Sequence, residues 1–295
     1  MKLAKSPTSS NLVGAGLRSP HIPYILKNHQ KVSQKIGWFE VHSENYYNTL
    51  SSSSATLLQV RKDFHISLHS VGNSLGSAQK IDLNHLTKLK QLIEVIDPFL
   101  VSDHISWGLI DGKHSNDLLP LPYSKEAVKT LSDNISIMQD FLGREILIEN
   151  PSTYLAYKHS EMSEVDFINI VTKKTGCKLL LDINNIYVSA QNNAQFDPID
   201  YLNQVDKKIV KEIHLAGHSK VQIFDGKKHQ QILIDTHNDL VCDEVWSLYN
   251  HAVKRLGKIP TLLEWDQDIP EFKVFVSEAK KAKKILFNGS IKKPT

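Results

Sequence analysis

Short apolar runs alternate along the chain with longer amphipathic stretches. Eight runs of about five residues have the length and apolar content of strands buried on both faces of a parallel sheet, and they cover residues 11–17, 38–42, 65–69, 99–104, 145–149, 178–182, 212–215 and 261–265. Five of the intervening stretches carry apolar residues at helical spacing and predict helices over 81–96, 123–142, 162–175, 243–256 and 270–286. For the third of these helices, Ser163 is a candidate N-cap and Gly176 marks the end.

This alternation predicts an α/β fold, a single (β/α)₈ TIM barrel made of the whole chain, residues 1–295. The barrel core is expected at about 12–287, followed by a basic C-terminal tail at 288–295. An open doubly wound sheet is the alternative architecture. It is disfavoured because no Gly-rich phosphate loop follows the first predicted strand.

Histidines and carboxylates mark the ends of the predicted strands, which is where barrels of this kind place their active sites. Seven of the eight strands end in His, Asp or Glu, or pass through one near the end. The residues at or just beyond these ends include Glu40, His42, Glu44, His69, Asp103, His104, Glu149, Asp182, Asn185, His214, Asp235, His237, Glu264 and Asp266. In a closed barrel these ends converge, so the carboxylates would repel one another unless a bound cation compensates their charge.

The predicted metal site contains nitrogen and oxygen ligands and no cysteine, which suits iron, manganese or zinc. The imidazoles and carboxylates are too many for one ion with open positions, so we expect two or three ions that share bridging carboxylates. Asp235 and His237 are two apart on a predicted extended segment and therefore point to the same side. The alternative is a polar barrel mouth that binds an organic substrate without metal.

Charge and cysteine content narrow the function classes. The net charge of +3, from 35 basic and 32 acidic residues, is too balanced to indicate a nucleic-acid or membrane partner. The two cysteines, Cys177 and Cys242, cannot form a disulfide framework, and neither is predicted to be a nucleophile. The N-terminus lacks the apolar stretch of a signal peptide, and no run of about 18 apolar residues occurs, so a cytoplasmic protein is expected.

Nine strings occur in an order that resembles the multinuclear non-haem iron-dependent oxidase family, whose best-known type is the methanobactin-biosynthesis oxidase. The strings are GAGLR (14–18), WFEVHSENYY (38–47), SLHSVGNSLGS (67–77), SDHISW (102–107), IENPSTYL (148–155), LLLDINNIYVSA (179–190), EIHLAGHS (212–219), DTHNDLVCDEVWSLY (235–249) and LLEWDQDIP (262–270). The resemblance extends over about residues 12–287.

The resemblance implies a xylose isomerase-like barrel that holds two or three iron ions in mixed ferrous and ferric states, with manganese or zinc as alternative occupants after purification. It implies dioxygen as co-substrate, a cysteine of a ribosomally synthesised precursor peptide as the modified group, and a small partner protein that presents the peptide. The implied metal ligands are His69, His104, Glu149, Asp182, Asn185, His214, Asp235, His237 and Glu264, with His42 and Asp266 as secondary candidates. Asp235, His237 and Glu44 are the implied catalytic residues.

One departure separates this chain from the related endonuclease IV type, whose trinuclear zinc site uses an Asp-x-x-His string. Here the string is Asp182-Ile-Asn-Asn185, so an amide replaces the histidine and the preference moves away from zinc. Two alternative functions remain at this point. One is a divalent-metal hydrolase or isomerase of the endonuclease IV or xylose isomerase type, and the other is a metal-binding protein without turnover.

Overall fold

A closed ring of parallel strands forms the centre of the computed structural model, which describes residues 7–8, 11–110, 112–193, 196–224 and 229–289. In chain order the strands are β1 (Val13–Gly16), β2 (Trp38–His42), β3 (His65–His69), β4 (Leu100–His104), β5 (Trp107–Ile110), β6 (Lys113–Leu119), β7 (Leu147–Glu149), β8 (Lys178–Asp182), β9 (Val210–Leu215), β10 (Ser219–Phe224), β11 (His229–Ile234) and β12 (Thr261–Leu263). The ring runs β1-β2-β3-β4-β7-β8-β9-β12 and closes on β1, with every neighbouring pair parallel. The predicted barrel is therefore confirmed, and the open-sheet alternative is excluded.

Helices follow the barrel strands in the usual alternation. They are α1 (Ile22–Lys27), α2 (His29–Ser33), α3 (Ser52–Arg61), α4 (Leu83–Ile96), α5 (Lys125–Leu142), α6 (Glu164–Thr175), α7 (Ile183–Asn193), α8 (Pro198–Gln204), α9 (Asp243–Leu256) and α10 (Phe272–Asn288). Ser163 caps α6 by accepting a hydrogen bond from the Asp166 amide at 3.1 Å, and Gly176 ends it in a left-handed conformation, as predicted. None of the described helices combines the length and apolar character that crossing a bilayer requires.

Two antiparallel hairpins project from the barrel and were not predicted. β5 pairs with β6 directly after β4, and β10 pairs with β11 directly after β9. Both hairpins therefore follow the carboxyl ends of barrel strands, which is the end that carries the candidate ligands. The structure cannot be compared with the prediction at either end of the chain, because residues 1–6 and the part of the predicted basic tail from 290 onward lie outside the described residues.

Successive side chains along each barrel strand point alternately into the barrel interior and towards the surrounding helices. In β2, Phe39 and Val41 pack in the hydrophobic cluster between the barrel and the helices, whereas Glu40 and His42 lie outside that cluster on the opposite face. The pattern recurs in β9, where Ile213 belongs to the cluster. Polar side chains thus fill the carboxyl end of the interior, and a continuous apolar layer outside holds the barrel together.

An indole occupies the floor of the interior. Trp38 is fully buried, its Nε1 donates to the carbonyl of Leu12 at 3.1 Å, and its ring lies edge-on to Phe99 with centroids 5.1 Å apart. A Cβ on Gly14 of the neighbouring strand would come within 2.4 Å of the Trp38 ring. Glycine at position 14 is therefore what lets the indole close the barrel beneath the candidate site.

We predict that Gly14→Ala lowers the free energy of unfolding by about 1–3 kcal/mol, because the added methyl group overpacks a side chain that cannot move away. Chemical denaturation of the single variants and of the double variant with Trp38→Leu measures this cost. In the Trp38→Leu background, which lacks the indole, Gly14→Ala should lower the free energy of unfolding by less than about 0.5 kcal/mol. An equal cost in both backgrounds would contradict the packing described here.

Candidate metal centre

Three ligand-type side chains meet where β3, β4 and β7 end. His69 Nε2 lies 3.3 Å from His104 Nε2 and 3.2 Å from Glu149 Oε2, and His104 Nε2 lies 3.3 Å from the same oxygen. Two ligands that each lie about 2.1 Å from a tetrahedral ion are about 3.4 Å apart. The three atoms are thus spaced like ligands around one first-row metal ion.

The two imidazoles are held in the neutral state that metal binding requires. Burial, together with the nearby imidazoles of His104 and His214, keeps the pKa of His69 well below its usual range. Burial also lowers the pKa of His104 to about 4. The Nδ1 of His69 is hydrogen-bonded to the Ser102 hydroxyl at 2.7 Å, which orients the ring and leaves Nε2 to the shared site.

Asp182 and Asn185 each use one polar atom in the scaffold and leave another for the site. Asp182 Oδ1 accepts from the Asn185 amide at 2.6 Å at the start of α7, and Asn185 Nδ2 donates to the Asn150 carbonyl at 3.1 Å. The Asn150 side chain in turn holds the backbone of Asp182 through two hydrogen bonds of 2.9 Å. Among the described residues, Asp182 Oδ2 and Asn185 Oδ1 have no hydrogen-bond partner, so an oxygen atom of each is available as a ligand.

Asp235 and His237 lie together at the rim of the site. His237 Nε2 is 2.7 Å from Asp235 Oδ1, and Asn184 Nδ2 donates to the same oxygen at 2.7 Å. On the other side of the ring, His237 Nδ1 lies 2.9 Å from Asp266 Oδ2. His237 has a φ of 46°, an unusual backbone conformation for a residue other than glycine, and such strain is typical of functional sites.

Glu149, Asp182 and Glu264 connect the ligand groups to one another. Glu264 Oε2 lies 3.0 Å from His214 Nδ1 and 3.5 Å from His237 Nδ1, and Glu149 Oε1 lies 3.8 Å from His214 Nδ1. Four groups of atoms that could each hold an ion are linked through these carboxylates: His69–His104–Glu149, Glu149–Asp182–His214, Asp182–His237–Glu264 and His42–Glu264–Asp266. The arrangement therefore suits two or three adjacent ions with bridging carboxylates.

The residues pass a simple test of fit to metal ions, because many of their buried polar atoms lack hydrogen bonds. Buried oxygens of the cluster with no hydrogen-bond partner in the described part of the chain are Glu149 Oε2, Asp182 Oδ2 and Asn185 Oδ1. Leaving one buried polar atom unsatisfied costs about 1–3 kcal/mol. Bound cations would satisfy the oxygens in this set and remove the repulsion between the carboxylates.

The remaining predicted residues lie at different distances from this cluster. His42 Nε2 is 3.8 Å from Glu264 Oε1 and 3.9 Å from Asp266 Oδ1, so both secondary candidates border the ligand groups. Asp266 is also bonded to the Arg18 guanidinium. Glu44 lies apart: its Oε1 accepts from the Gly72 amide at 2.9 Å and lines a neighbouring cavity. A catalytic role for Glu44 stays a prediction.

Two buried glutamates beneath the site were not singled out as ligands from the sequence. His214 Nε2 lies 3.2 Å from Glu40 Oε1 and 3.8 Å from Glu212 Oε1. Burial, with the Glu40 charge beside it, raises the pKa of Glu212 to about 8. The signal was present in the sequence, because each glutamate precedes a site histidine by two residues on the same strand and therefore shares its face.

A cavity of about 240 Å³ opens above the ligand groups and exposes them from the carboxyl end of the barrel. The cavity is also lined by Tyr154, from the loop after β7, and by Leu118 of β6, and the ligand candidates that line it are His69, His104, Glu149, Asn185, Asp235, His237 and Glu264. A molecule that enters the barrel mouth therefore reaches the ligand groups directly.

Comparison with known proteins identifies the family of this chain. Residues 12–287 match the family described as the RiPP precursor modification enzyme MbnB/TglH/ChrH, in which RiPP denotes a ribosomally synthesised and post-translationally modified peptide. The chain belongs to this enzyme family. Its curated relatives include a UPF0276 protein of Vibrio parahaemolyticus, 45% identical over 93% of this chain and 92% of the relative. A UPF0276 protein of Rhizobium meliloti is 41% identical over 93% and 87% of the two chains.

Solved structures show the fold that this RiPP-modifying family member shares with other enzymes. D-allulose 3-epimerase from Methylomonas sp. superposes with a TM-score of 0.57 at 12% identity, covering 96% of this chain and 97% of the other. A xylose isomerase-like TIM barrel protein from Mycobacterium smegmatis, in complex with magnesium, gives a TM-score of 0.55 at 11% identity, covering 94% and 97%. At such low identity the likeness establishes a xylose isomerase-like barrel and nothing about the reaction.

We predict that metal binding to this enzyme releases protons and strengthens as the pH rises from about 6 to 8. Burial, with the Asp235 charge, raises the pKa of Asp182 to about 7, and burial raises the pKa of Glu149 well above its usual range. The pKa of His237 is also raised, because Asp235 and Glu264 outweigh the effect of its burial. These groups hold protons in the metal-free protein near neutral pH, and a bound cation must displace them.

Calorimetric titration of metal-free protein with Zn²⁺ in two buffers of different ionisation enthalpy counts the released protons at pH 6 and at pH 8. His69 and His104 should contribute none of these protons, because their lowered pKa values leave them neutral throughout this range. Equal affinity at both pH values, with no proton release, would argue against the predicted ligands.

Proposed function

We propose that this protein is a multinuclear iron-dependent oxidase that uses dioxygen to modify a cysteine of a ribosomally synthesised precursor peptide. The observation that carries the proposal is the set of converging histidine, carboxylate and amide side chains at the barrel mouth, where three overlapping groups of potential ligands share Glu149 and Asp182. Membership of a family of RiPP precursor modification enzymes supports a peptide substrate. A small partner protein that presents the peptide is part of this proposal.

The donor set favours iron over zinc and magnesium. Magnesium prefers oxygen ligands alone, whereas imidazoles mixed with carboxylates suit iron and also catalytic zinc. Asn185 contributes a weak amide oxygen where an endonuclease-type zinc site has a histidine. Bound iron supplies the one-electron chemistry that dioxygen needs and Lewis acidity towards a thiolate.

The protein contributes position and shelter from water to this reaction. Ser102, Asn150 and Asn184 hold His69, Asp182 and Asp235 in place through the hydrogen bonds described above. Asp235 and His237 keep 12% of their side-chain surface exposed, so they are the ligand candidates at the point where a peptide enters. Preorganised ligands at the end of a closed cavity orient the substrate and limit the access of bulk water.

The reacting thiol must come from the substrate. Cys177 is buried, and its burial raises its pKa to about 11. Neither Cys177 nor Cys242 lines the cavity above the ligand groups. A thiolate that meets the metal ions therefore belongs to another molecule, which agrees with a cysteine-bearing peptide.

We predict that His69→Ala and Asp235→Ala each lower the rate of peptide modification by about 100-fold or more, since even the loss of a group that only supports a metal ligand costs 10–100-fold. His159→Ala, at an exposed loop histidine, is the matched control and should keep full activity. The assay measures dioxygen uptake and the mass of a cysteine-bearing peptide encoded beside this gene.

Two results would overturn the assignment. One is full iron content and full activity in both ligand variants. The other is an iron-loaded protein that consumes no dioxygen and leaves the mass of every such peptide unchanged.

A further inference from the structure

A second cavity adjoins the metal centre beside the β5–β6 hairpin. It has a volume of about 420 Å³, within the usual range of binding pockets for small ligands. Val71, Asp117 and Leu118 line this cavity and also line the cavity above the ligand groups. We call it the side cavity, and its other lining residues include Glu44, Gly72, His85 and Trp107. A chain that occupies the barrel mouth can therefore extend a side chain into it.

Glu44 is fixed at one end of the side cavity. Its Oε1 accepts from the amides of Val71 and Gly72 at 3.0 and 2.9 Å and lies 3.3 Å from His85 Nε2. A Cβ on Gly72 would come within 2.8 Å of the His85 ring and 3.2 Å of Glu44 Oε1, so glycine is what admits this close approach. Glu44 Oε2 is a buried atom with no hydrogen-bond partner among the described residues, whereas the Glu44 side chain as a whole is 24% exposed.

The side cavity carries negative charge. The Glu44 carboxyl accepts hydrogen bonds from two backbone amides, an arrangement that favours the anionic form of a carboxyl group. Asp117 adds a second carboxylate, and no lysine or arginine is among the described residues that line this cavity.

An aromatic wall completes the side cavity. Trp107 Nε1 donates to the Pro120 carbonyl at 2.9 Å, which fixes the indole between β5 and the end of the hairpin. Indole faces attract ammonium and guanidinium groups, and aromatic walls also pack against the aliphatic stems of lysine and arginine. The anchored Glu44 carboxylate, the Asp117 carboxylate and the Trp107 indole together form a site that suits a cationic group on a flexible aliphatic stem.

We propose that the side cavity binds a lysine or arginine side chain of the substrate peptide while the cysteine of that peptide lies in the cavity above the metal ligands. This inference rests on the proposed function, because it takes the substrate to be a cysteine-bearing peptide. The two cavities share a wall, and an extended peptide advances about 3.3–3.6 Å per residue. The cationic residue therefore lies within about three residues of the cysteine.

The test compares peptides that differ in one charge. Acetylated and amidated peptides contain one cysteine and a lysine at each position from three before it to three after it, and norleucine replaces the lysine in the matched series. Calorimetry measures their binding to full-length protein purified under argon, where no turnover occurs. At the best position, the lysine peptide should bind about tenfold or more tightly than its norleucine partner, as expected for a hydrogen bond to a charged group.

Variants of the two cavity carboxylates test whether the side cavity is the origin of the lysine preference. Glu44→Gln keeps an oxygen for the backbone amides but removes the charge, and it should reduce the lysine preference to below about threefold. Asp117→Asn, on the hairpin, should reduce it as well. Asp133→Asn is the matched control, because Asp133 is exposed on α5 and pairs with Lys129 at 2.6 Å, and it should leave the preference unchanged.

The outcomes separate this inference from the proposed function. Equal binding of lysine and norleucine peptides at every position would overturn it, and so would the absence of binding by either series up to about 1 mM. A lysine preference that survives Glu44→Gln and Asp117→Asn would also overturn it. Because binding is measured without turnover, a lysine preference that disappears in Glu44→Gln supports lysine binding in the side cavity even if the protein proves not to be an iron-dependent oxidase. Conversely, a protein that is an active oxidase but shows no lysine preference contradicts only the proposal that the side cavity binds a cationic side chain.

Discussion

Charge buried in the mouth of a closed parallel barrel is the constraint on which the rest of this structure depends. Glu149, Asp182 and Glu264 lie among imidazoles in a space that water barely reaches, and one oxygen each of Glu149 and Asp182 has no hydrogen-bond partner within the described chain. Unpaired buried carboxylates destabilise a fold unless they hold protons or bind cations. The raised pKa values of Asp182 and Glu149 mean that these carboxyl groups hold protons in the metal-free protein. Bound metal ions would replace those protons in the functional protein.

The scaffold around the ligands is arranged so that this charge is held in one geometry. One atom of a ligand is commonly used by the backbone or by a neutral partner, as in Asp182 at the start of α7, Asn185 on the Asn150 carbonyl and His69 on Ser102. The remaining atom faces the site. Such supporting contacts orient a metal ligand before the metal arrives and tune its affinity. At the floor of the barrel, Trp38 against Gly14 closes the interior below the charged layer.

Much of the barrel was predictable from the sequence because it follows from periodicity, and the convergence of the candidate ligands at the strand ends follows from the barrel. β2, β3, β8 and α9 have the predicted bounds, and the candidate ligands that end strands follow the alternation of side chains along them. The β5–β6 hairpin could not be predicted in the same way. β5 has only four residues and β6 (KHSNDLL) is largely polar, so the pair lacks the apolar signal of the barrel strands.

The positions of loop residues also required the structure. Glu44 follows β2 closely in sequence, and this proximity suggested a place beside the ligands, but the Val71 and Gly72 amides hold it in the side cavity instead. Arg18 bonds to Asp266 across the junction between β1 and the last strand of the barrel, a contact 248 residues apart in sequence. Contacts of this kind depend on how the loops pack at the barrel mouth, and local patterns carry no information about that packing.

Metal analysis of protein purified without oxygen, combined with Mössbauer spectroscopy, tests the central claim most directly. The account predicts two or more iron ions per chain, with coupled ferrous and ferric signals that arise from ions sharing bridging carboxylates. Tightly bound zinc or manganese, with no uptake of iron on reconstitution, would contradict it.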